Sequence, residues 1–498
     1  MTTDSAAPIA PGRPLRDAVP AAPAAGTLTP GTPVVLGLLV VSTFVVILNE
    51  TIMNVALASL IADLGITAAT AQWLTTGYLL TMAIVIPTSG FILQRFTTRQ
   101  VFLTAMSLFA AGTLIAALSP GFGVLLTGRI VQAAGAAVMM PLLMTAVLTI
   151  VPAGRRGSMM GTISIVTAVA PALGPTLSGA ILSAAHWHVL FWTVLPIALV
   201  MVALGAWRLK NVTATVPAPL DAPSVIVSAI AFGAIVFGLS SIGEATGGHA
   251  PVPPWIALVV GAGFLAWFIH RQRHLARADR ALLDLRTFAT PTFAVAIVAL
   301  ALVVMTLFGT LTVLPLYLQD VLGTSALTTG LLLLPGGVLM AVLSPVVGRL
   351  YDRLGAGPLV IPGALVLAAS QAGFALTLGP GTSPWVAMAL FTLMHIALAF
   401  LFTPLMTSAL SPLRPELHSH GSATYSTVQQ LAGAAGTAVL VALMTTSAAD
   451  GPGAGEATGV HGAYLGATVI AALAVVAALV LAGTDRRTHR ALTALTAR

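Results

Sequence analysis

Long apolar stretches follow one another along almost the whole chain, and short segments rich in charged residues, proline or glycine separate them. An α-helix needs about 20 predominantly apolar residues to cross a hydrocarbon core of roughly 30 Å. The pattern predicts fourteen membrane-spanning helices, near 34–58, 71–93, 101–118, 122–149, 157–182, 188–207, 224–243, 254–270, 290–318, 327–347, 358–378, 384–410, 422–447 and 463–483. We therefore expect an all-α polytopic membrane protein.

The amino-acid composition and the absence of certain motifs exclude several classes of function. Of the 498 residues, 57% are hydrophobic and 7% are charged, whereas a soluble domain is about 25% charged. Cysteine is absent, which excludes disulfides and thiolate metal sites. The sequence has neither an HExxH zinc motif nor the GxxxxGK(S/T) loop that binds ATP. We expect no metal, no cofactor and no enzymatic activity.

The basic residues orient the chain in the membrane, because short cytoplasmic loops are enriched in lysine and arginine. With the N-terminus inside, each of the 21 basic residues except Arg129 falls in a cytoplasmic segment. Both termini are therefore predicted to be cytoplasmic. The net charge of +7 suits anionic lipid headgroups at the inner face better than nucleic acid.

A short motif occurs twice, at equivalent places in the predicted topology. PTSGFILQR follows the second helix and PVVGRLYDR follows the tenth, and both fit PxxGxxxxR. Internal repeats of this kind are typical of transporters. The chain is predicted to contain a disordered cytoplasmic tail at 1–32, a six-helix bundle at 33–209, two inserted helices with a basic loop at 210–289, a second six-helix bundle at 290–483, and a cytoplasmic tail at 484–498.

Two charged residues lie inside predicted spans, Glu50 in the first helix and Arg129 in the fourth. Charged groups at bilayer depth are costly and usually face a cavity, so each is a functional candidate. A structural role remains open for both. Glu50 would then join two helices by hydrogen bonds, and Arg129 would clamp backbone carbonyls.

Three stretches, LNETIMNVAL, GRIVQAAGAA and APALGPTLSG, resemble signature motifs of the major facilitator superfamily, in its fourteen-helix drug:proton antiporter branch. The matching residues are Asn49, Glu50, Thr51 and Asn54; Gly128, Arg129, Gln132 and Gly135; and Ala170, Gly174, Pro175 and Gly179. The repeated loop motif adds Gly90, Arg95, Arg99, Gly348, Asp352 and Arg353. The likeness covers about residues 33–483, and QRFTTRQ, LPLYLQDVLGTSALTTG and HGSATYSTVQQLAGAAGTA look most like the lincomycin-resistance type of multidrug exporter.

The chain departs from the superfamily pattern at the first loop motif. Gln94 stands where the family usually has an acidic residue, and Thr97 stands where it has a second glycine. If the missing carboxylate normally latches one conformation, the latch here is expected to depend on Arg95 and Arg99. In HWHVLFW, His188 occupies a position where related exporters often carry arginine.

The resemblance implies a proton-coupled exporter that works by alternating access, and the residues suggest how it is coupled. Burial favours the neutral form of a carboxyl, so Glu50 is predicted to take a proton from the acidic outer side and to release it inside. Arg129 would favour release if it lies close. His395 is a candidate for a second proton, although a hydrogen bond to a neighbouring helix would also explain a lone membrane histidine.

The predicted substrates are lipophilic, often cationic compounds such as antibiotics. Seven side chains are candidates for an apolar, aromatic pocket, with core packing or lipid contact as the alternative for each: Trp73, Tyr78, Met82, Met139, Met140, Phe308 and Phe402. Gly174, Ser178 and Gly179 share a helical face and suit the sliding of one bundle on the other, although ordinary helix packing uses the same residues.

Other classes of function fit less well. A channel needs rings of like groups along a pore, and a single carboxylate does not supply one. A proton-coupled importer of a natural metabolite, or a membrane sensor, remains open because fold alone does not set direction. We expect a multi-pass protein of the bacterial cytoplasmic membrane, with a monomer as the working assumption.

Overall fold

The computed structural model describes residues 32–212, 221–242, 252–278, 280–447 and 454–496. Long α-helices account for most of them. In chain order they are α1 Thr32–Leu64, α2 Ala68–Arg95, α3 Thr98–Ala117, α4 Phe122–Ile150, α5 Arg156–Ala184, α6 His188–Arg208, α7 Ala222–Ser240, α8 Pro254–Ala276, α9 Pro291–Leu316, α10 Ala326–Leu354, α11 Gly357–Thr377, α12 Pro384–Leu410, α13 His418–Ser447 and α14 Ala454–Thr496. Short 3-10 turns at Ala153–Arg155, Leu285–Ala289 and Pro415–Leu417, and a π turn at Tyr317–Val321, complete the regular structure of the described residues.

The predicted number and class of elements are confirmed. Among the described residues, fourteen helices are long and apolar enough to cross a membrane. Helices satisfy all their backbone hydrogen bonds internally, which a segment surrounded by lipid requires. Residues 1–31, most of the tail predicted to be disordered, lie outside the described residues.

Several helices extend beyond the apolar stretch that predicts them. α1 continues to Leu64, and α14 begins at Ala454 and ends at Thr496, so it runs through most of the segment predicted as a tail. Hydropathy marks only the part of a helix that is buried in lipid. Alanine, leucine and arginine are good helix formers in water as well, and they are frequent at the end of α14.

Thr97, which departs from the superfamily pattern, begins α3. Its side chain accepts a hydrogen bond from the Gln100 backbone N–H, and the Gln100 side chain accepts one from the Thr97 N–H at 3.1 Å. This reciprocal pair is a capping box, which satisfies two backbone donors at the helix start. The threonine therefore gives α3 a well-defined first turn.

α3 and α4 approach so closely that glycine is required where they cross. A Cβ atom at Gly135 would collide with the Ala105 carbonyl oxygen, and a Cβ at Gly112 would collide with the Gln132 backbone. Small residues allow such backbone contact between membrane helices. The crossing brings the side chain of Gln132 against α3.

We call α1–α6 the N-terminal half, α9–α14 the C-terminal half, and the arginine-rich ends of their helices the inner end. The two halves meet there. Asp352 on α10 binds the start of α5, while Gly90 on α2 lies against α13, where an added Cβ would be 2.9 Å from His420 Nδ1. Gly348 on α10 packs against the Gly157 backbone in the same way.

α7 and α8 form a pair that lies against both halves. Phe232 and Phe268 join the two helices in an edge-to-face contact with ring centroids 5.8 Å apart. Both rings belong to a hydrophobic cluster that also contains Phe91 of α2 and Ala423 of α13. Asp221 and Arg271 close the inner end of the pair with an ion pair of 2.8 Å.

Candidate functional site

Glu50 lies on α1 in the interior of the N-terminal half and is partly buried. Its neighbour Asn49 is buried, and the Asn49 side-chain nitrogen has no hydrogen-bond partner in the part of the chain that the structure describes. The Glu50 carboxyl is within electrostatic reach of Arg129 and Tyr78. α1, α2 and α4 thus bring one acid, one cation and one phenol together.

Arg129 is almost completely buried, with 1% of its surface exposed. Its Cζ atom lies 4.1 Å from the centre of the Tyr78 ring, and its Nη1 donates to Gln132 Oε1 at 2.7 Å. Gln132 Nε2 in turn donates to Thr113 Oγ1 at 2.8 Å. The guanidinium is therefore positioned by side chains from α2, α3 and α4. Among the described side chains, Arg129 and Glu50 interact electrostatically but do not form an ion pair.

The first-helix motif contacts the fifth-helix motif directly. Thr51 Oγ1 donates to the Ala170 carbonyl oxygen at 3.2 Å, and a Cβ atom at Gly174 would collide with the same hydroxyl. Gly174 is thus needed for the approach of α5 to the residue beside Glu50. Gly179 faces open space. The side chains of Asn54 and Pro175, both predicted to belong to these motifs, lie outside the described residues.

His395, the candidate for a second proton, is buried on α12 in the C-terminal half. Its Nδ1 lies 3.0 Å from the Phe391 carbonyl oxygen of the same helix, and its ring packs against Gly336 of α10. These contacts are within its own half. The structure therefore does not join His395 to Glu50 through a described contact.

The seven residues predicted to line a pocket are distributed over the molecule. Tyr78 contacts Arg129, whereas Trp73 is 40% exposed and stacks on Phe237 of the inserted helix α7 at 6.0 Å. Phe308 is 41% exposed and lies against Gly433 of α13. The other four pack in or against the main hydrophobic core: Met82, Met139, Met140 and Phe402. By the described contacts, Tyr78 alone of the seven joins the group around Glu50.

Asp352 holds the start of α5. Its Oδ1 accepts from the Gly157 N–H and its Oδ2 from the Ser158 N–H, both at 2.8 Å. These amides have no partner within α5, and the positive end of the helix dipole favours a carboxylate there. The second loop motif thereby joins α10 of one half to α5 of the other.

The first loop motif makes a different contact from the one expected. Gln94 Nε2 donates to the Glu416 carbonyl oxygen at 3.0 Å and so links α2 to the turn before α13. Arg99 instead binds Ala206 and Asn211 near the end of α6, within its own half, and Arg95 is exposed. In this conformation Gln94 therefore makes the described contact of this motif with the other half, and a latch at Arg95 and Arg99 stays a prediction.

A cluster at the opposite end was not predicted. Asp63 near the end of α1 accepts from Trp187 Nε1 at 2.8 Å and lies 3.1 Å from His186 Nε2. The Trp187 hydrogen bond, followed by that of His186, holds the pKa of Asp63 below its usual range. His188 reaches the Ser119 carbonyl oxygen at 2.9 Å. The HWH spacing was visible in the sequence, but its partner Asp63 was not.

A shallow outer cleft of about 420 Å³ adjoins this cluster. Its lining includes Ser59, Asp63, Leu182 and Trp187. Asp63 is more than three helical turns beyond Glu50 on α1. The cleft is thus separate from the group around Glu50.

The model of the Major Facilitator Superfamily matches residues 39–437. The uncharacterised MFS-type transporter YcnB of Bacillus subtilis is 39% identical over 447 residues, which cover 90% of this chain and 93% of the relative. The lincomycin resistance protein LmrB of Listeria monocytogenes is 40% identical over 403 residues, or 81% of this chain and 84% of the relative. The crystal structure of the human organic anion transporter MFSD10 aligns with a TM-score of 0.64 at 16% identity, over 89% of this chain and 100% of that one.

Proposed function

Because this chain belongs to the Major Facilitator Superfamily and is a multi-pass membrane transporter, we propose that it exports lipophilic, often cationic compounds in exchange for protons. The single observation that carries the proposal is Glu50, a partly buried carboxyl within electrostatic reach of the buried Arg129 guanidinium. The names of relatives such as the lincomycin resistance protein support a drug-like substrate.

Glu50 is proposed to bind a proton and a cationic substrate in turn. Burial favours the neutral carboxylic acid, while the Arg129 charge favours the carboxylate. The two effects oppose each other. A modest change in the distance to Arg129 or in water access therefore shifts the equilibrium between the acid and the carboxylate form of Glu50. The acid would form when the site faces the acidic outer side, and the O–H proton would pass to water when the site faces the cytoplasm. A cationic drug would then pair with the carboxylate.

Alternating access requires that the inner end open and close. In the conformation described here, Asp352 binds the start of α5, and Gln94 binds the turn before α13. Ser164 of α5 and Thr403 of α12 form a further hydrogen bond of 2.9 Å between the halves. Rotation of one half against the other would break these contacts and expose Glu50 to the cytoplasm.

The proposal is tested in energised inside-out vesicles. A panel of lincosamides, dyes and quaternary ammonium drugs is added, and collapse of the proton gradient is measured with a pH-sensitive dye. Wild-type protein should collapse the gradient with some of these compounds, and Glu50→Gln should not, because the amide keeps the size of the side chain but cannot titrate. Asp320→Asn removes an exposed carboxylate and serves as the matched control.

Three outcomes would contradict the proposal. Wild-type exchange by Glu50→Gln would reduce the carboxyl to a structural role. Uptake of a metabolite into intact cells, driven by the proton gradient and without drug exchange, would favour an importer. Ligand binding without any transport would favour a sensor.

A further inference from the structure

Tyr78 makes an unusual contact for a buried phenol. The side chain is completely buried, yet its hydroxyl has no hydrogen-bond partner among the described residues, although buried polar groups are nearly always paired. Its ring, by contrast, lies face-on to the Arg129 guanidinium at 4.1 Å. In this conformation the aromatic face, and not the hydroxyl, makes the polar contact.

Arg129 depends on that face because the described residues offer its charge few other polar contacts. Among them, one hydrogen bond, from Nη1 to Gln132, holds the guanidinium, and Nε has no partner. A buried charge with so few hydrogen bonds is costly. An aromatic face stabilises a cation more strongly when the cation is removed from water than when it is exposed to solvent. The Tyr78 ring from α2 and the Gln132 amide from α4 therefore fix the position of the charge together.

We propose that Tyr78 is a positioning residue for proton exchange at Glu50: its ring holds the Arg129 charge at a set distance from the carboxyl. The role of Tyr78 in transport rests on the proposed proton exchange at Glu50. The effect of its ring on the Arg129 charge, and so on the Glu50 carboxyl, does not depend on transport. A nearby cation favours the carboxylate over the acid. If the ring is removed, Arg129 can move away, and Glu50 should keep its proton to higher pH.

A hydrophobic carbodiimide tests this without transport, because it modifies protonated carboxyls in apolar surroundings. Purified protein is labelled across about pH 5 to 9, and modification of Glu50 is quantified by mass spectrometry. We expect Arg129→Gln to move the midpoint of labelling upward by about 1 pH unit or more. Tyr78→Leu should move it less but in the same direction. Tyr78→Phe, which keeps the ring, should follow the wild-type curve.

Tyr464 provides a matched control on the other half. It is also completely buried, and its hydroxyl is unpaired among the described residues, but its ring stacks on Phe374 and not on a cation. Tyr464→Leu should therefore leave the labelling midpoint of Glu50 unchanged. Tyr78→Met fills more of the space without an aromatic face, and it replaces Tyr78→Leu if that variant fails to fold.

The results separate this inference from the proposed function. An unchanged midpoint in Tyr78→Leu or Tyr78→Met, or in Arg129→Gln, overturns the positioning role even if wild-type protein exchanges drugs for protons. A shifted midpoint in a protein that exchanges no drug supports the role of Tyr78 and removes the proposed function. Equal shifts in Tyr78→Leu and Tyr464→Leu would indicate general loosening of the fold and would also overturn the inference.

Discussion

At the scale of single residues, the contact between Thr51 and Gly174 decides how close α5 comes to Glu50. A Cβ atom at Gly174 would collide with the Thr51 side chain, whereas one at Gly179 meets no atom of the described residues within 4 Å. Alanine is favoured over glycine within a helix by about 1 kcal/mol. We therefore predict opposite effects of alanine substitution at the two glycines of this motif.

We expect Gly174→Ala to lower the thermal stability of the purified protein and to reduce transport, because α1 and α5 must separate. Gly179→Ala should be neutral or stabilising by up to about 1 kcal/mol. Thermal unfolding in detergent and drug resistance in a sensitive host are the measurements. Equal behaviour of the two variants would show that the approach of α5 to Thr51 is not required.

At the scale of helices, the Asp352 carboxylate at the start of α5 stabilises the closed inner end. Replacing it with asparagine removes the charge that complements the helix dipole, a change of about 1 kcal/mol. Such a change alters a two-state equilibrium about 5-fold. Asp352→Asn should therefore shift the protein toward inner-open conformations.

The absence of native cysteine makes this shift measurable. A single cysteine at the buried Ser164 is labelled from the cytoplasmic side, and its rate should rise by about 5-fold in the Asp352→Asn background. Glu416→Gln is the control, since Glu416 contributes its backbone carbonyl, not its carboxylate, to the contact with Gln94. A rise in the control, or none with Asp352→Asn, would argue against the electrostatic contact.

The pair of inserted helices contains a second charged contact with a defined pH dependence. The Arg271 hydrogen bond holds the pKa of Asp221 below its usual range. A carboxyl with a lowered pKa contributes stability that is present above its unfolded value of about 4 and is lost as the pH falls through the folded value.

Asp221→Asn should therefore destabilise the protein at pH 7, and the difference from wild type should shrink under acid. Thermal unfolding at several pH values measures it. Arg271→Gln should remove the same pH-dependent difference, and the double variant should add little. A difference that persists unchanged at low pH would assign the effect of Asp221 to packing or helix capping.

At the scale of the whole molecule, the number of titratable groups that carry protons would set how many protons the proposed exchange moves per drug molecule. If Glu50 alone carries the proton, one monovalent cation leaves for one proton entering, and no net charge moves. Each additional charge that crosses adds about 2.3 kcal/mol per 100 mV. His395 is the candidate for a second proton, although its described contacts lie in the C-terminal half.

Transport of a monovalent drug in liposomes decides whether Glu50 acts alone or together with His395. The pH is clamped, and a potassium–valinomycin potential is imposed. We expect no response to voltage. A strong response that disappears in His395→Gln would show that two groups carry protons and that the single-carboxylate mechanism is incomplete.

The sequence by itself determined the number of spanning helices and their class, because a chain in lipid must satisfy its backbone hydrogen bonds within helices. It also identified Glu50 and Arg129, since a charge in an apolar stretch is too costly to be kept without a reason. It also identified the glycines of the motifs, but it did not show which of them packs closely against another helix.

Only the tertiary structure decided which residues meet. Tyr78 faces Arg129, Gly174 faces Thr51, and Gln94 rather than Arg95 crosses to the other half. The physical reason is that these helices are apolar on most sides, and a helix that is apolar all round carries no pattern to reveal which face is turned to which neighbour. Rotation and crossing are set instead by packing between side chains far apart in the chain, which hydropathy along the sequence does not encode.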